Sequence, residues 1–374
     1  MNSRKRKAEP ETRQPRPVVG ILTAGRGSGG VPGNRQMFRY VLQACQKEGI
    51  HSYVFTPGQL QWSKGMALGY QWRGGRFVLG RHPLPNVVYN RVPNRALEHS
   101  PAVTALKRQL RSRGIPCFNP RFLNKHDLYR VLVRQSEAAP YLPWTARLRR
   151  MDDLDRALRR FGSIYLKPKN SFAGQGIMRV SLGQGNYHLR YRVKDANRRQ
   201  VYKSKSELFA AIRAMAGQKT YMLQQAIELA RYQGRIFDVR LLAQKNQSGS
   251  WQVTGMGIRV ASKGGITTHV PNGGFIASTE QVLPRVFPDS AGQVEERVRA
   301  LAMTVAPLVE RGYHASFGEM SMDIGITPDG RPFFFEANAK PMKFDEDRIR
   351  HKGLSTLVSY MRYLARTRRA GADG

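Results

Sequence analysis

Acidic residues are scarce in this sequence, with 26 Asp and Glu against 62 Lys and Arg, and the formal charge is +36. Such a balance excludes a self-neutral surface and creates a positive field that draws in anions: nucleic acid, phosphorylated metabolites, anionic polymers or headgroups. Cysteine is rarer still. Cys45 and Cys117 are the two present, which excludes a disulfide scaffold and a cysteine-rich metal site, and both read as buried thiols. No apolar run follows the basic N-terminus to serve as a signal sequence, and none approaches a membrane span, so a cytosolic protein is expected. Internal repeats are absent. Zinc-finger spacing, paired RNA-binding aromatics and a coiled-coil basic region are also missing, which makes nucleic acid an unfavoured main partner. No Ser-His-Asp or Cys-His arrangement offers a nucleophile, and the histidines lack metal-ligand spacing.

What is present is enough apolar residue, 41% of 374, for two or three packed units. The order of elements opens as α/β and turns antiparallel. Residues 1–16 read as a basic tail. Val18 to Leu22 is a strand, Arg35 to Lys47 a helix with Phe38, Val41, Leu42 and Cys45 at helical spacing, and His51 to Thr56 a strand. Gly25, Gly27 and Gly30 satisfy a dinucleotide fingerprint, but Pro32, Gly33 and Asn34 delay the helix and no acid ends the second strand. Residues 60 to 85 read as a loop or hairpin insertion. Pro140 and Pro143 break the chain before the ligand-binding part. The expected partition is a 17–122 α/β domain, a first lobe over 123–226, and a second lobe over 227–374 that ends in an amphipathic helix, Gly353 to Arg369.

Two local patterns carry chemistry. Taking Asp329-Gly330 as a two-residue turn places Asp323 opposite Glu336 across a hairpin, with Asn338 two residues on and on the same face. Like charges in that relation destabilise a bare hairpin. Either a hard cation such as Mg²⁺ sits there, held by oxygen ligands, or the pair is a solvated edge; the apolar flanks favour the ion. Second, Ile164 to Lys167 is a strand that delivers a lysine into Pro168, Lys169, Asn170, Ser171, Phe172, Ala173, Gly174, Gln175 and Gly176. Such a flexible segment can turn backbone N–H groups toward phosphate. The lysine precedes the glycines, so this is not a Walker A loop.

With VVYNRVPNR at 87–95, CFNP at 117–120, NKHDLYRVL at 124–132, YLKPKNSFAGQGI at 165–177, YMLQQAI at 221–227, FDVRLLAQ at 237–244, GGITTHVPNGG at 264–274, MSMDIGI at 320–326 and FFFEANAKP at 333–341, the chain resembles the ATP-grasp superfamily. It is similar in particular to the YheC/YheD family of endospore coat-associated proteins, from about Val18 to Tyr363. The resemblance implies an N-terminal α/β domain followed by two lobes with a nucleotide site between them. It implies ATP and Mg²⁺, with Lys125 and Lys167 on the phosphates, Lys169, Ser171, Gly174 and Gly176 in the closing loop, and Gln224, Gln225, Ala226 and Ile227 as the adenine hinge. Glu228 would meet the ribose, Asp238 and Arg240 form a D-x-R pair, Arg259 faces the transferred phosphate, and Asp323, Glu336 and Asn338 hold the metal. His269 stands where an Asn would be expected, and Lys340 adds a cation beside the metal position. Arg26 and Arg91 would face an acceptor.

The implied reaction is carboxylate–amine ligation through an acyl phosphate, with Lys167, Arg240 and Arg259 catalytic and with an acid and an amine of unspecified identity as substrates. The competing expectation is a nucleotide-binding coat component with weak or no ligase activity, whose charge adsorbs it to an anionic polymer or surface.

Overall fold

A computed structural model of the chain describes residues 16–25, 30–169, 175–193, 196–268 and 270–370. It divides into two compact units, Met1–Cys117 with Met361–Gly374, and Phe118–Tyr360. The division therefore falls at 117/118 where 122/123 was expected, and the last residues group with the first unit instead of extending the second lobe to 374.

In the first unit, β1 (Val18–Leu22) is entirely buried and pairs in parallel with its neighbours on both sides. Helix α1 (Arg35–Lys47) starts where Asn34 accepts from the Met37 amide at 3.0 Å, and it buries Phe38, Val41, Leu42 and Cys45. Burial pushes the Cys45 thiol up to about 12, so it is an inert core group. Strand β2 (His51–Phe55) and the short β3 (Leu60–Gln61) lead to an antiparallel hairpin, β4 (Met66–Arg73) and β5 (Arg76–Pro83). Gly74 and Gly75 turn that hairpin with φ of +53° and +77°, the left-handed pair such a tight turn requires. Strand β6 (Val87–Asn90), helices α2 (Arg95–Glu98) and α3 (Pro101–Ser112), and β7 (Cys117–Phe118) complete a sheet of order β3-β4-β2-β1-β6-β7, with β5 on β4.

The second unit opens with α4 (Lys125–Leu132), capped by Asn124. Its first sheet collects β8 (Thr145–Arg147), β9 (Ser163–Pro168), β10 (Met178–Gly183), β11 (Asn186–Val193), β12 (Ala196–Tyr202) and β13 (Tyr221–Gln225) in the order β12-β11-β10-β9-β13-β8. Helices α5 (Met151–Phe161) and α6 (Lys205–Ala216) cover one face, closing a core of Leu154, Leu158, Ile164, Leu166, Val180 and Leu189. Period-2 alternation then sends Tyr165 and Lys167 to the opposite face.

The second sheet is antiparallel: β14 (Arg231–Tyr232), β15 (Arg235–Lys245), β16 (Trp251–Val260), β17 (Phe275–Ala277), β18 (Glu319–Ile326) and β19 (Pro332–Asn338). Their order is β17-β16-β15-β18-β19, with β14 on β15. Helix α7 (Thr279–Val286) and the long α8 (Ala291–Tyr313) bury Val294, Val298, Leu301 and Val305 against it. Helix α9 (Asp347–Ala370) ends the described chain. Asn119, of the CFNP segment, adopts φ +52° and binds the Gly318 amide at 2.7 Å, which gives it a structural role behind β18.

Candidate functional site

Four adjacent strands of the second sheet, β16, β15, β18 and β19, bring together Arg259, Asp238, Arg240, Asp323, Glu336 and Asn338. Asp323 on β18 lies directly opposite Glu336 on β19, as the hairpin reasoning requires, and Asn338 lies opposite Ser321. The route differs from the expected two-residue turn. Thr327 to Arg331 form a five-residue loop, so pairing near the turn is displaced by one, with Ile324 opposite Phe334. A bulge at Phe335 restores the register at Asp323. Phe335 and Glu336 are consequently both half-buried in succession, between the buried Phe334 and Ala337.

The cations that neutralise this carboxylate pair belong to the protein itself. Arg240 on β15 is the register partner of Asp323 on its other side and donates to Asp323 Oδ1 at 3.1 Å. Arg259 on β16 approaches Asp323 Oδ2 at 2.9 Å and makes a two-pronged bond to Asp238, Nε to Oδ1 at 2.9 Å and the terminal nitrogen to Oδ2 at 2.7 Å. Thr268 donates to the same Asp238 Oδ2 at 2.6 Å. Lys125, at the first position of α4, meets Glu336 at 3.0 Å.

Burial opposes ionisation of Asp323, but the guanidiniums of Arg259 and Arg240 outweigh it and hold the carboxyl below its usual range. For Arg259 burial again opposes charge, and Asp238 and Asp323 reverse it, so this arginine stays charged. With Asp238 5% and Arg259 9% exposed, this is a buried pair. Asp238 is thereby a positioning partner of Arg259, both its oxygens engaged by Arg259 and Thr268.

Lys167 rises from β9 on the open face of the first sheet, hydrogen-bonds Gln224, and lies 5.6 Å from the centre of the Tyr165 ring and 5.8 Å from that of Phe335. Burial, with help from the charge of Lys125, pushes its ammonium down to about 8, against pulls from Glu336, Asp323 and Asp238. These charge couplings tie Lys167 to the same cluster as the second-sheet residues. The Gln224 amide also donates to Thr145 at 3.1 Å.

The segment expected to hold adenine has two of its amides engaged within the fold. The Gln225 amide donates to Trp144 O and the Ala226 amide to Ser163 O, so any base-edge reading by a backbone N–H falls to Ile227 or beyond. Glu228 is exposed beside them. Lys169 is exposed, its amide bonded to Thr220 O, and Gly176 takes φ +71° with its carbonyl accepting from Tyr221 Oη at 3.1 Å. Ser171, Gly174, His269 and Arg26 lie outside the described residues. Arg91 is buried in the first unit and donates to Tyr89 Oη at 3.4 Å. Lys340 is buried too, its ammonium 4.3 Å over the Phe122 ring.

Whether these side chains suit Mg²⁺ is decided by the donor set. Among the described residues no group of three His, Cys, Asp or Glu could hold a metal. Two carboxylates and an amide oxygen on one strand face are nevertheless what an ion needs when it also takes phosphate and water oxygens. Lys125 is the one ion-pair partner of Glu336, and the half-buried Asn338 amide has no hydrogen bond among the described residues. The set fits, with Glu336 and Asn338 the freer ligands.

Sequence reasoning missed Thr268, Tyr165 and Phe335. Thr268 was visible only as part of GGITTH; Phe335 required the bulge.

Comparison with known proteins identifies the family and the fold. Residues 114–364 match the family described as YheC/D like ATP-grasp. The endospore coat-associated protein YheD of Bacillus subtilis (strain 168) is 29% identical over 332 residues, 87% of this chain and 72% of that protein. The endospore coat-associated protein YheC of the same organism is 23% identical over 69% of this chain and 71% of its own. Among solved structures, D-alanyl-alanine synthetase A from Vibrio cholerae O1 biovar eltor str. N16961 superposes with a TM-score of 0.52 at 14% identity, covering 95% of this chain and 99% of that one. That likeness is one of fold.

Proposed function

Because the chain belongs to the YheC/D-like ATP-grasp family, we propose that it is an ATP-dependent carboxylate–amine ligase working through an acyl phosphate. The observation that carries this reading is the convergence of Lys125, Lys167, Arg240 and Arg259 about Asp323 and Glu336. A scaffold has no use for four cations gathered on two carboxylates, whereas phosphoryl transfer is catalysed mainly by placing charge where the transferring group develops it.

In the proposed reaction a carboxylate oxygen of the acid bonds to the γ-phosphorus of ATP, and the bond to the ADP oxygen breaks. An amine nitrogen then bonds to the acyl carbon, loses a proton, and inorganic phosphate leaves. Lys125 and Lys167 would bind phosphate oxygens, and Arg259, oriented by Asp238 and Thr268, would face the transferring group. Mg²⁺ held by Glu336, Asn338 and Asp323 would supply charge neutralisation on the phosphates. No protein nucleophile is required, in keeping with the absence of one in the sequence.

A second reading is favoured by one observation, the +36 charge: a coat-associated nucleotide-binding protein that adsorbs to an anionic polymer. ADP release measured with Mg²⁺-ATP across a panel of acids and amines separates the two. Turnover that needs both an acid and an amine supports the ligase; nucleotide binding with no turnover across the panel supports the second reading.

A further inference from the structure

The open face of the first sheet carries an arrangement the ligase reading does not use. Arg179 on β10 pairs in register with Arg190 on β11, and Arg190 pairs in register with Arg199 on β12. On the other side Arg179 is the partner of Tyr165, two residues before Lys167 on the same face. Three arginines thus stand in one row across three adjacent strands, spaced by about 4.8 Å of backbone. The row runs from the sheet's free edge at β12 to Tyr165 on β9, two residues before Lys167.

Like charges directly opposite each other on a sheet are destabilising, and nothing acidic offsets these. Among the described residues none of the three has an ion-pair partner. Arg179 donates to Ser163 Oγ at 3.0 Å, and Arg199 to His188 at 3.2 Å, where the imidazole serves as acceptor. The half-buried Arg190 side chain has neither hydrogen bond nor ion pair among the described residues. Burial and the charges of Arg179, Arg199 and Arg231 of β14 all act against its ionisation. Three guanidiniums held in register with no carboxylate among them leave the row open to an external anion.

The chemistry of that anion follows from what shares the face. Tyr187, Tyr191 and Tyr202 alternate to the opposite, core-packed side, and the Tyr165 hydroxyl is bound to Ile266 O at 2.9 Å. The one aromatic ring that β11 and β12 place on this face, His188, is engaged through both ring nitrogens by Arg199 and Gly183 O, which leaves no stacking platform such as single-stranded nucleic acid would need. Guanidiniums in a row instead match carboxylates, which they bind with two parallel hydrogen bonds each. We infer that the Arg179–Arg190–Arg199 row is a docking strip for an acidic peptide segment of the carboxylate substrate, leading it from the sheet edge toward Lys167. This rests on the ligase reading for the word substrate and on the strip alone for the binding.

Equilibrium binding of a fluorescent oligoglutamate peptide of about ten residues, without ATP, tests the strip directly. Saturable binding is expected, weakened at least about tenfold in Arg190→Gln/Arg199→Gln and little changed in the charge-matched control Arg76→Gln/Arg81→Gln on β5. Nucleotide affinity should be the same in both. Arg190→Gln should also raise the melting temperature of the unliganded protein, which shows that it folds. Equal loss in both double variants, no saturable binding, or tighter binding of an oligothymidylate of the same charge overturns the inference. Peptide binding without ADP release in any panel would remove the ligase and leave the strip; turnover with no peptide binding would do the reverse.

Discussion

Asp323 and Glu336 face each other across β18 and β19, yet they are neutralised from different directions, Asp323 by Arg240 and Arg259 and Glu336 by Lys125. The two carboxylates are therefore not equivalent. Asp323 is locked between two guanidiniums, whereas Glu336 has a single lysine at 3.0 Å from a different element, α4. An arriving cation displaces one contact at Glu336 and must compete with two at Asp323.

Glu336→Gln should therefore weaken the Mg²⁺ dependence of nucleotide binding by about tenfold or more, since a neutral amide is a poor ligand for a hard ion. The fold should persist, because Lys125 is about a third exposed and can turn to water. Nucleotide titrations at stepped Mg²⁺ concentrations check this. An unchanged Mg²⁺ requirement would remove Glu336 from the ligand set.

Lys167 supplies a pH prediction. Its folded value of about 8 lies below the ordinary 10.5, so between those values the unfolded chain binds a proton that the folded chain does not. Stability of the unliganded protein should rise with pH across that window, the penalty being fully present below pH 8. Phosphate beside the ammonium restores its charge, so ATP binding near pH 9 should take up a proton. Calorimetry in buffers of different ionisation enthalpy reads the uptake, and Lys167→Met should abolish it.

Asp238→Asn leaves the buried Arg259 with Asp323 alone. Removing one partner of such a pair costs about 3–5 kcal/mol, readable as a lower urea midpoint at unchanged slope. Turnover should fall as well, because Arg259 loses the two-pronged bond that fixes its plane. A variant with wild-type stability would show that Asp238 is not what holds Arg259.

Phe335→Ala opens one side of the Lys167 environment. The ammonium should move up from about 8 toward its ordinary value as water replaces the ring. Acetylation rates at Lys167 as a function of pH measure this. An unmoved profile would assign the depression to Lys125 and the surrounding sheet instead.

Much of this was legible in the sequence because it depends on local patterns. The 3.6 spacing of Phe38, Val41, Leu42 and Cys45 specified α1, whereas Asp323 opposite Glu336 was reached from a two-residue turn and holds because the bulge at Phe335 offsets the longer loop. The pairing of Arg259 with Asp238 was not legible. It depends on how β15 and β16 align, and that ladder contains an irregularity at Leu242 and Ala243. The same holds for the segment expected to hold adenine, where Trp144 and Ser163 occupy the amides of Gln225 and Ala226 from elements far away in the chain. The arginine row is also a product of register, since its members lie 11 and 9 residues apart and carry no motif.

The bulge at Phe335 has a bearing on how this hairpin can vary. Before it, even-numbered residues of β19 face the core; after it, odd-numbered ones do. The strand changes phase in mid-course, so the turn at Thr327 to Arg331 and the carboxylate at Glu336 obey separate registers. In an unbroken ladder a one-residue change of loop length would swing Glu336 into the apolar interior. Here the bulge works as a slip joint: a one-residue difference in the loop is absorbed at Phe335, and the face that carries Glu336 stays aligned with Asp323.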